Sequence, residues 1–154
     1  MADLAYWIIS DSQSEANILS IEKTQISREM VDAIDSGAVN KVSRLIEQGE
    51  YLDAVNSQAE TALLKAAWNG DILLARKLLE MGADISIAAD EGRTALFSAA
   101  VSGNLELVKK LLAHGANVNV STNNGKTPLM VSAWSDYPQM TKLLLRNGAE
   151  PRFD

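Results

Sequence analysis

The sequence predicts an all-α fold, a solenoid in which short helix–turn–helix units stack side by side and are joined by β-turn or hairpin loops. One observation is that glycine, threonine and leucine recur at a spacing of 33 residues along the 154-residue chain. Another is that the apolar residues within each period follow helical spacing. Because a pair of short helices cannot bury its own apolar face, such units stack on their neighbours.

The 33-residue period is marked by several separate columns of one residue type. They are Gly37, Gly70 and Gly103; Gly49, Gly82, Gly115 and Gly148; Thr61, Thr94 and Thr127; and Leu45, Leu78, Leu111 and Leu144. Columns of three residue types at one period indicate that each unit repeats one arrangement of buried and turn-forming side chains.

Each unit carries the signals of two short helices and a turn. Thr94 is a good N-cap for a first helix, and Gly103 supplies the left-handed backbone that ends it. Apolar residues recur at helical spacing over residues 105–113, and Gly115 ends this second helix. The Asn124–Gly125 pair that follows is a strong turn signal before the next threonine.

With these features the chain resembles the ankyrin-repeat family. The units that carry the resemblance are ETALLKAAWNGDILLARKLLEMGADI at 60–85, EGRTALFSAAVSGNLELVKKLLAHGANVN at 91–119, NGKTPLMVSAWSDYPQMTKLLLRNGAE at 124–150 and a weaker unit at 27–53. The resemblance implies an ankyrin-repeat domain at 28–154, with repeats at about 23–55, 56–88, 89–121 and 122–154, preceded by an N-terminal capping segment at 1–27.

The chain departs from the family pattern at several positions. The usual histidine is replaced by Val31, Leu64, Phe97 and Met130. We expect apolar packing to substitute for its polar contacts, since hydrophobic replacements of suitable size are tolerated. In the last unit Asp136 occupies the glycine column, and Asp enters the left-handed region more easily than most residues. Pro138 is expected to open the second helix of that unit.

The first 27 residues do not follow the repeat. The runs AYWII and ILSI are compatible with two β-strands or with short helices. Trp7, Ile8 and Ile9 are expected to cover the otherwise exposed apolar face of the first repeat. The alternative is a mobile arm that binds a partner.

Composition excludes several classes of protein. Twenty acidic against fourteen basic residues give a net charge of −6, which argues against nonspecific nucleic-acid binding and suits either a basic partner or simple solubility. The chain has no cysteine, no basic leader and no apolar run long enough to cross a membrane. We therefore expect a cytoplasmic protein with no membrane contact.

Two tryptophans stand out at equivalent positions near the ends of first helices. In the resembling family, partners usually meet the turn tips and the inward side of the first helices, which line a concave groove. Carried over to this chain, the groove position is occupied by Trp68, Val101 and Trp134, which we interpret as apolar anchors, since Trp is enriched in interface hot spots. The alternative is that each Trp packs along its own groove wall with no partner.

Polar residues accompany these anchors. Lys65 lies one turn before Trp68, and Asp32 and Asp35 extend the same face as an acidic patch. The turn tips contribute Glu60, Asp90, Glu91, Arg93, Asn123 and Lys126. With the acidic patch, the acidic tips could meet a basic partner, or they form a solvated edge; such charges mainly steer encounter.

No catalytic or metal-binding constellation is recognisable, so we expect no enzyme and no cofactor. The single histidine, His114, precedes Gly115 and is expected to be structural or solvated. Because the repeats occupy most of the sequence, we expect binding itself to be the output. The predicted function is a protein-binding module, monomeric when free, that inhibits or masks its partner, as an immunity-type protein does. The alternative is an adaptor or a structural subunit that self-associates.

Overall fold

The computed structural model describes residues 28–33, 35–36, 38–48, 52–53 and 55–152. Over these ranges the regular structure is helical, with no strand, which confirms the predicted all-α solenoid. The proposed capping segment at 1–27, including Trp7, Ile8 and Ile9, lies outside the described residues. The repeat boundaries inferred from the sequence stay a prediction.

The helices form pairs that stack in two rows. Helix α1 is the helical segment 28–33, and the later helices are α2 (Val39–Glu47), α3 (Ala62–Asn69), α4 (Ile72–Glu80), α5 (Ala95–Val101), α6 (Leu105–Ala113), α7 (Pro128–Trp134) and α8 (Pro138–Arg146). Helices α3, α5 and α7 pack in sequence as the first row, and α4, α6 and α8 form the second row. Each helix of the first row also packs on the helix that follows it.

Side-chain caps begin most of these helices. The Oγ1 atoms of Thr61, Thr94 and Thr127 accept hydrogen bonds from the backbone N–H three residues later, at 3.2, 3.3 and 3.2 Å. Asp71 and Asn104 cap α4 and α6 in the same way, each at 3.1 Å. These bonds satisfy N–H groups that a helix start leaves without a partner. The predicted cap at Thr94 is confirmed.

The fourth unit uses different residues to end its first helix and to begin its second, as its sequence predicted. Pro138 occupies the first position of α8, where its missing N–H costs nothing. Asp136 adopts the left-handed conformation, with φ of 57°, at the position where Gly70 and Gly103 have φ of 71°. A carboxylate side chain therefore stands where the other units use glycine.

The core runs along the stack as columns of repeated side chains. Leu78, Leu111 and Leu144 are fully buried. Of the four residues that stand where the resembling family carries histidine, Val31, Leu64 and Phe97 are buried and Met130 is partly exposed. The expected apolar packing is confirmed at the first three of these positions and holds only in part at Met130.

Candidate partner-binding surface

Successive turn tips are connected by backbone hydrogen bonds along one edge of the stack. The tips comprise residues 56–60, 89–93 and 122–126, and each is closed by its own bond, such as the one from the Ala89 N–H to the Arg93 carbonyl at 2.9 Å. The Asp90 N–H donates to the Gln58 carbonyl at 3.1 Å, and the Asn123 N–H donates to the Glu91 carbonyl at 2.8 Å. The exposed polar side chains of the tips are therefore held in a fixed register.

Glu60 is the centre of an ionic network that crosses three units. Its carboxylate lies 3.6 Å from Lys65 Nζ and 3.5 Å from the Arg93 guanidinium, and its side chain is only 8% exposed. Lys65 Nζ also lies 3.4 Å from the Asp35 carboxylate. A carboxylate removed from water requires such partners. Glu60 therefore positions two cations, and its own carboxylate is not presented to solvent.

Trp68 lies beside this network. The Arg93 guanidinium carbon is 5.3 Å from the centroid of the Trp68 ring, within cation–π range. Trp68 is nevertheless 45% exposed. Trp68 thus packs in part on a neighbouring tip, as the second alternative raised by the sequence has it, and is otherwise exposed to solvent. Its role as an anchor for a partner stays a prediction.

Val101 and Trp134 occupy the equivalent position in the next two units, with different surroundings. Val101 is partly buried and packs against the core. Trp134 is 68% exposed and lines a cavity beside Leu129 and Met130. The three positions share one row of helix ends, but Trp134 turns towards the end of the stack.

The remaining acidic candidates are open to solvent. Asp32, Asp90 and Glu91 are exposed, and none of them forms an ion pair with another described residue. Asp32 lines a cavity together with Arg28 and Val31. These carboxylates are available to a partner, whereas those of Glu60 and Asp35 already contact cations.

The third tip supplies a polar and a basic side chain. Asn123 and Lys126 are both exposed. The amide oxygen of Asn123 lies close to Gly92, where a Cβ would approach it to 2.8 Å. Lys126 lines the same cavity as Trp134. The two residues thus belong to different neighbourhoods, one facing the second tip and the other facing the end of the stack.

Two groups of residues were not identified from the sequence. Asn56 donates from Nδ2 to the Glu60 carboxylate at 3.0 Å, while its Oδ1 accepts from the Gln58 and Glu60 N–H groups at 2.9 Å. The cavity beside Trp134 is lined further by Ala133, Thr141, Leu145, Pro151 and Arg152. Asn is a residue type that forms such turns, so the role of Asn56 could have been inferred from the sequence. The residues that line the cavity beside Trp134 come together only in the folded structure.

Over the described ranges no cluster of three or more His, Asp or Glu side chains has the arrangement of a metal site. In the same part of the chain, no helix is both long and apolar enough to cross a membrane.

Comparison with known families agrees with this architecture. A family model described as ankyrin repeats (3 copies) matches residues 86–153. The repeated helix pairs, the capping threonines and the linked turn tips extend the same pattern towards the N-terminus, through α3 and α4. Residues 86–153 are therefore similar to ankyrin repeats, and such repeats indicate a protein–protein interaction module. A search of curated proteins finds no match to the chain.

Proposed function

We propose that this protein binds a partner protein through the surface formed by Trp68, Arg93, Val101 and the first two turn tips. The observation that carries the proposal is that Trp68 remains 45% exposed although Arg93 stacks on its ring. An aromatic side chain that is held by a guanidinium and still nearly half exposed is a suitable anchor, since Trp and Arg dominate interface hot spots. The hydrogen-bonded tips beside it supply polar contacts in a fixed register.

The proposed surface is organised before binding. Glu60 holds Lys65 and Arg93 from a nearly buried position, and Asn56 holds Glu60 in turn. Long cationic side chains lose rotamer freedom when a partner immobilises them. Because these are already restrained, less of the interaction free energy is lost on docking.

The charge of the exposed groups favours a basic partner. Asp90 and Glu91 are exposed on the second tip, and Asp32 is exposed beside the first tip, where it lines a cavity with Asn56 and Ser57. The chain has a net charge of −6. Acidic groups at the margin of an interface accelerate encounter and set orientation more than they add affinity. We therefore expect the association rate to fall as salt concentration rises.

The experiment compares the replacement by alanine of two exposed apolar side chains that lie on different rows of helices. A partner captured by the wild-type protein is identified, purified and titrated by calorimetry against wild type, Trp68→Ala and Leu73→Ala. Leu73 is the matched control because it is 68% exposed and lies on α4, in the second row. We expect a loss of about 30-fold or more for Trp68→Ala, as for an interface hot spot, and less than about two-fold for Leu73→Ala. Equal effects of the two substitutions would contradict the proposed surface.

Inhibition of the partner stays a prediction that the same complex can test. If docking masks a functional surface, one-to-one binding abolishes the partner's activity in proportion to occupancy. If the protein is an adaptor, the bound partner keeps its activity and a third component joins the complex. Light scattering over a concentration series distinguishes the inhibitor and the adaptor from a structural subunit that self-associates, because such a subunit would form a fixed oligomer. The monomeric state of the free protein and its cytoplasmic location also stay predictions.

A further inference from the structure

The second helix of each unit carries most of the basic residues of the chain. Helix α2 lies beside α4, since the Lys77 Nζ atom donates to Ser43 Oγ at 2.8 Å, and α4, α6 and α8 follow in the same row. These four helices contain eight of the fourteen basic residues and three of the twenty acidic residues. Their net charge is therefore +5, whereas the rest of the chain carries −11.

The cations form a stripe that crosses the four helices. Arg76, Lys109 and Lys142 occupy one repeated position at the 33-residue period, and all three are exposed. The position that follows supplies a second column of cations in α2, α4 and α6. The residues of the second column are Arg44, Lys77 and Lys110. Because the helices pack side by side, the two columns make one cationic stripe.

Stabilisation of the helix ends accounts for only one of the two columns. Arg44, Lys77 and Lys110 lie in the last turns of their helices, where a cation offsets the negative end of the helix dipole. The residues of the other column precede the last turn, and the effect of the dipole falls off within that turn. The exposed column of the cationic stripe therefore has another explanation.

Most of these cations are not neutralised by the protein itself. Within the described ranges, the ion pairs of the four helices join Arg76 to Glu80 at 3.7 Å and Lys109 to Glu106 at 3.0 Å. The other six cations of these helices form no ion pair with a described residue. By contrast, both cations of the Glu60 network already contact carboxylates. The cationic stripe thus has charge to offer to a partner.

The carboxylates of the four helices lie at the margins of the cationic stripe. Glu47 and Glu80 are the last residues of α2 and α4, and Glu106 lies in the first turn of α6. A broad anionic surface, such as a lipid bilayer, would meet these carboxylates together with the cations. A single anionic chain can follow the stripe between them.

The composition of the helices favours a polypeptide over a nucleic acid as that chain. The four helices contain no aromatic residue, so the bases of a single strand would find no side chain on which to stack. The dense charge of a duplex would be repelled by the acidic remainder of the protein. Repeats of this kind also indicate binding to proteins.

We propose that the cationic stripe is a second binding surface, which accepts an acidic, extended segment of a partner protein. Helices that pack side by side lie about 8–10 Å apart, and three residues of a polyproline-II chain span about 9 Å. A segment with a carboxylate at every third residue therefore places one carboxylate on each unit. Acidic segments are commonly extended and act as interaction tails, because their like charges repel.

The test uses two peptides of glycine and serine that carry glutamate at every third position in one and glutamine in the other. Binding to the full-length protein is measured by fluorescence anisotropy at low salt concentration, where surface charges are least screened. The net charge of −6 would make the glutamate peptide the weaker ligand. The cationic stripe predicts the reverse, with the glutamate peptide binding at least about ten-fold more tightly.

Charge reversals locate the binding. Lys109→Glu and Lys142→Glu are each expected to weaken the glutamate peptide about five-fold or more, because an attraction becomes a repulsion. Lys126→Glu is the matched control. Like Lys142, Lys126 is an exposed lysine that forms no ion pair with a described residue, but it lies on the third turn tip. The control changes the net charge equally and is expected to weaken binding by less than about two-fold.

Two further measurements accompany these variants. Thermal melts by circular dichroism check that each variant is folded, and NMR amide shifts are expected to follow α4, α6 and α8 when the glutamate peptide is added. The inference does not depend on the proposed function, since the cationic stripe and Trp68 lie on different rows of helices. Trp68→Ala is therefore expected to leave peptide binding unchanged.

Several results would overturn the proposal. They are absence of binding by the glutamate peptide, equal or tighter binding of the glutamine peptide, binding that survives both reversals on the stripe, and an equal effect of Lys126→Glu. Tighter binding of a single-stranded oligonucleotide, or of phosphatidylserine vesicles, at the same concentration of negative charge would assign the stripe to nucleic acid or to an anionic bilayer instead.

Discussion

The Arg93 guanidinium carbon lies 5.3 Å from the centroid of the Trp68 ring, although the two residues belong to adjacent helix pairs. The same guanidinium lies 3.5 Å from the Glu60 carboxylate. One cation thus joins an apolar anchor to a nearly buried acid. The exposed surface and the stability of the stack are therefore coupled through these residues.

Replacement of Glu60 by glutamine should destabilise the protein by about 2 kcal/mol. The substitution keeps the shape of the side chain but removes the charge that Lys65 and Arg93 contact. Both cations are about one-fifth exposed, so solvent compensates only in part. Urea unfolding monitored by circular dichroism measures the change in the free energy of unfolding.

The control for this prediction is Glu106→Gln. Glu106 pairs with Lys109 at 3.0 Å on the surface of α6, and both side chains are about half exposed or more. A surface pair of this kind contributes about 0.5 kcal/mol or less. Similar losses for the two substitutions would show that the Glu60 network adds no more than an ordinary surface ion pair.

The two tryptophans should differ in their contribution to stability. Trp68→Ala should cost about 2 kcal/mol and Trp134→Ala about 1 kcal/mol, because Trp68 is less exposed and also contacts Arg93. Thermal and urea unfolding of the single variants check the order. A larger loss for Trp134→Ala would contradict it. Binding by Trp68→Ala must accordingly be measured well below its lowered melting temperature.

Two glycine substitutions separate backbone strain from steric overlap. Gly103 and Gly115 have φ of 71° and 88°, so alanine at either position should cost about 1–2 kcal/mol. A Cβ at Gly103 would also lie 2.8 Å from the Tyr137 ring, whereas a Cβ at Gly115 would meet no atom within 4 Å beyond its own residue and chain neighbours. Gly103→Ala should therefore be the more destabilising by about 1 kcal/mol in urea unfolding, and the excess should disappear in a Tyr137→Ala background.

An alanine-to-glycine substitution should stabilise the first tip. Ala59 has φ of 57°, at the position where Gly92 and Gly125 have φ of 76° in the later tips. Glycine relieves about 1–2 kcal/mol of strain, offset by about 0.4–1 kcal/mol of unfolded-state entropy. A net gain of about 0.5 kcal/mol is expected in urea unfolding. The same substitution at Ala113, at the end of α6, should have the opposite sign, and a loss at both positions would exclude strain at Ala59.

The sequence predicted the repeat architecture because each unit is encoded locally. Thr94 and Asn104 begin their helices through bonds to N–H groups three residues away. Pro138 and Asp136 likewise indicated that the turn between the two helices of the last unit differs from the others. Such signals can be recognised in the sequence because the interacting atoms are close along the chain.

The candidate site was only partly predictable. The sequence identified Trp68, Trp134 and the charged tips as candidate partner-binding residues. It did not distinguish Glu60, which is nearly buried, from Asp90, which is open to solvent. That difference depends on Lys65 and Arg93 arriving from other units, so it is absent from the local pattern.

By itself, the sequence determined the 33-residue repeat, the helical class and the positions that vary at the surface. Helix caps, left-handed turns and apolar periodicity are short-range properties, and these carry the information. The tertiary structure alone decided that Arg93 stacks on Trp68, that Glu60 is enclosed, and that the cations of α4, α6 and α8 lie along one stripe. Each of these depends on which unit packs against which face, and burial and ion pairing arise only when separate repeats are brought together.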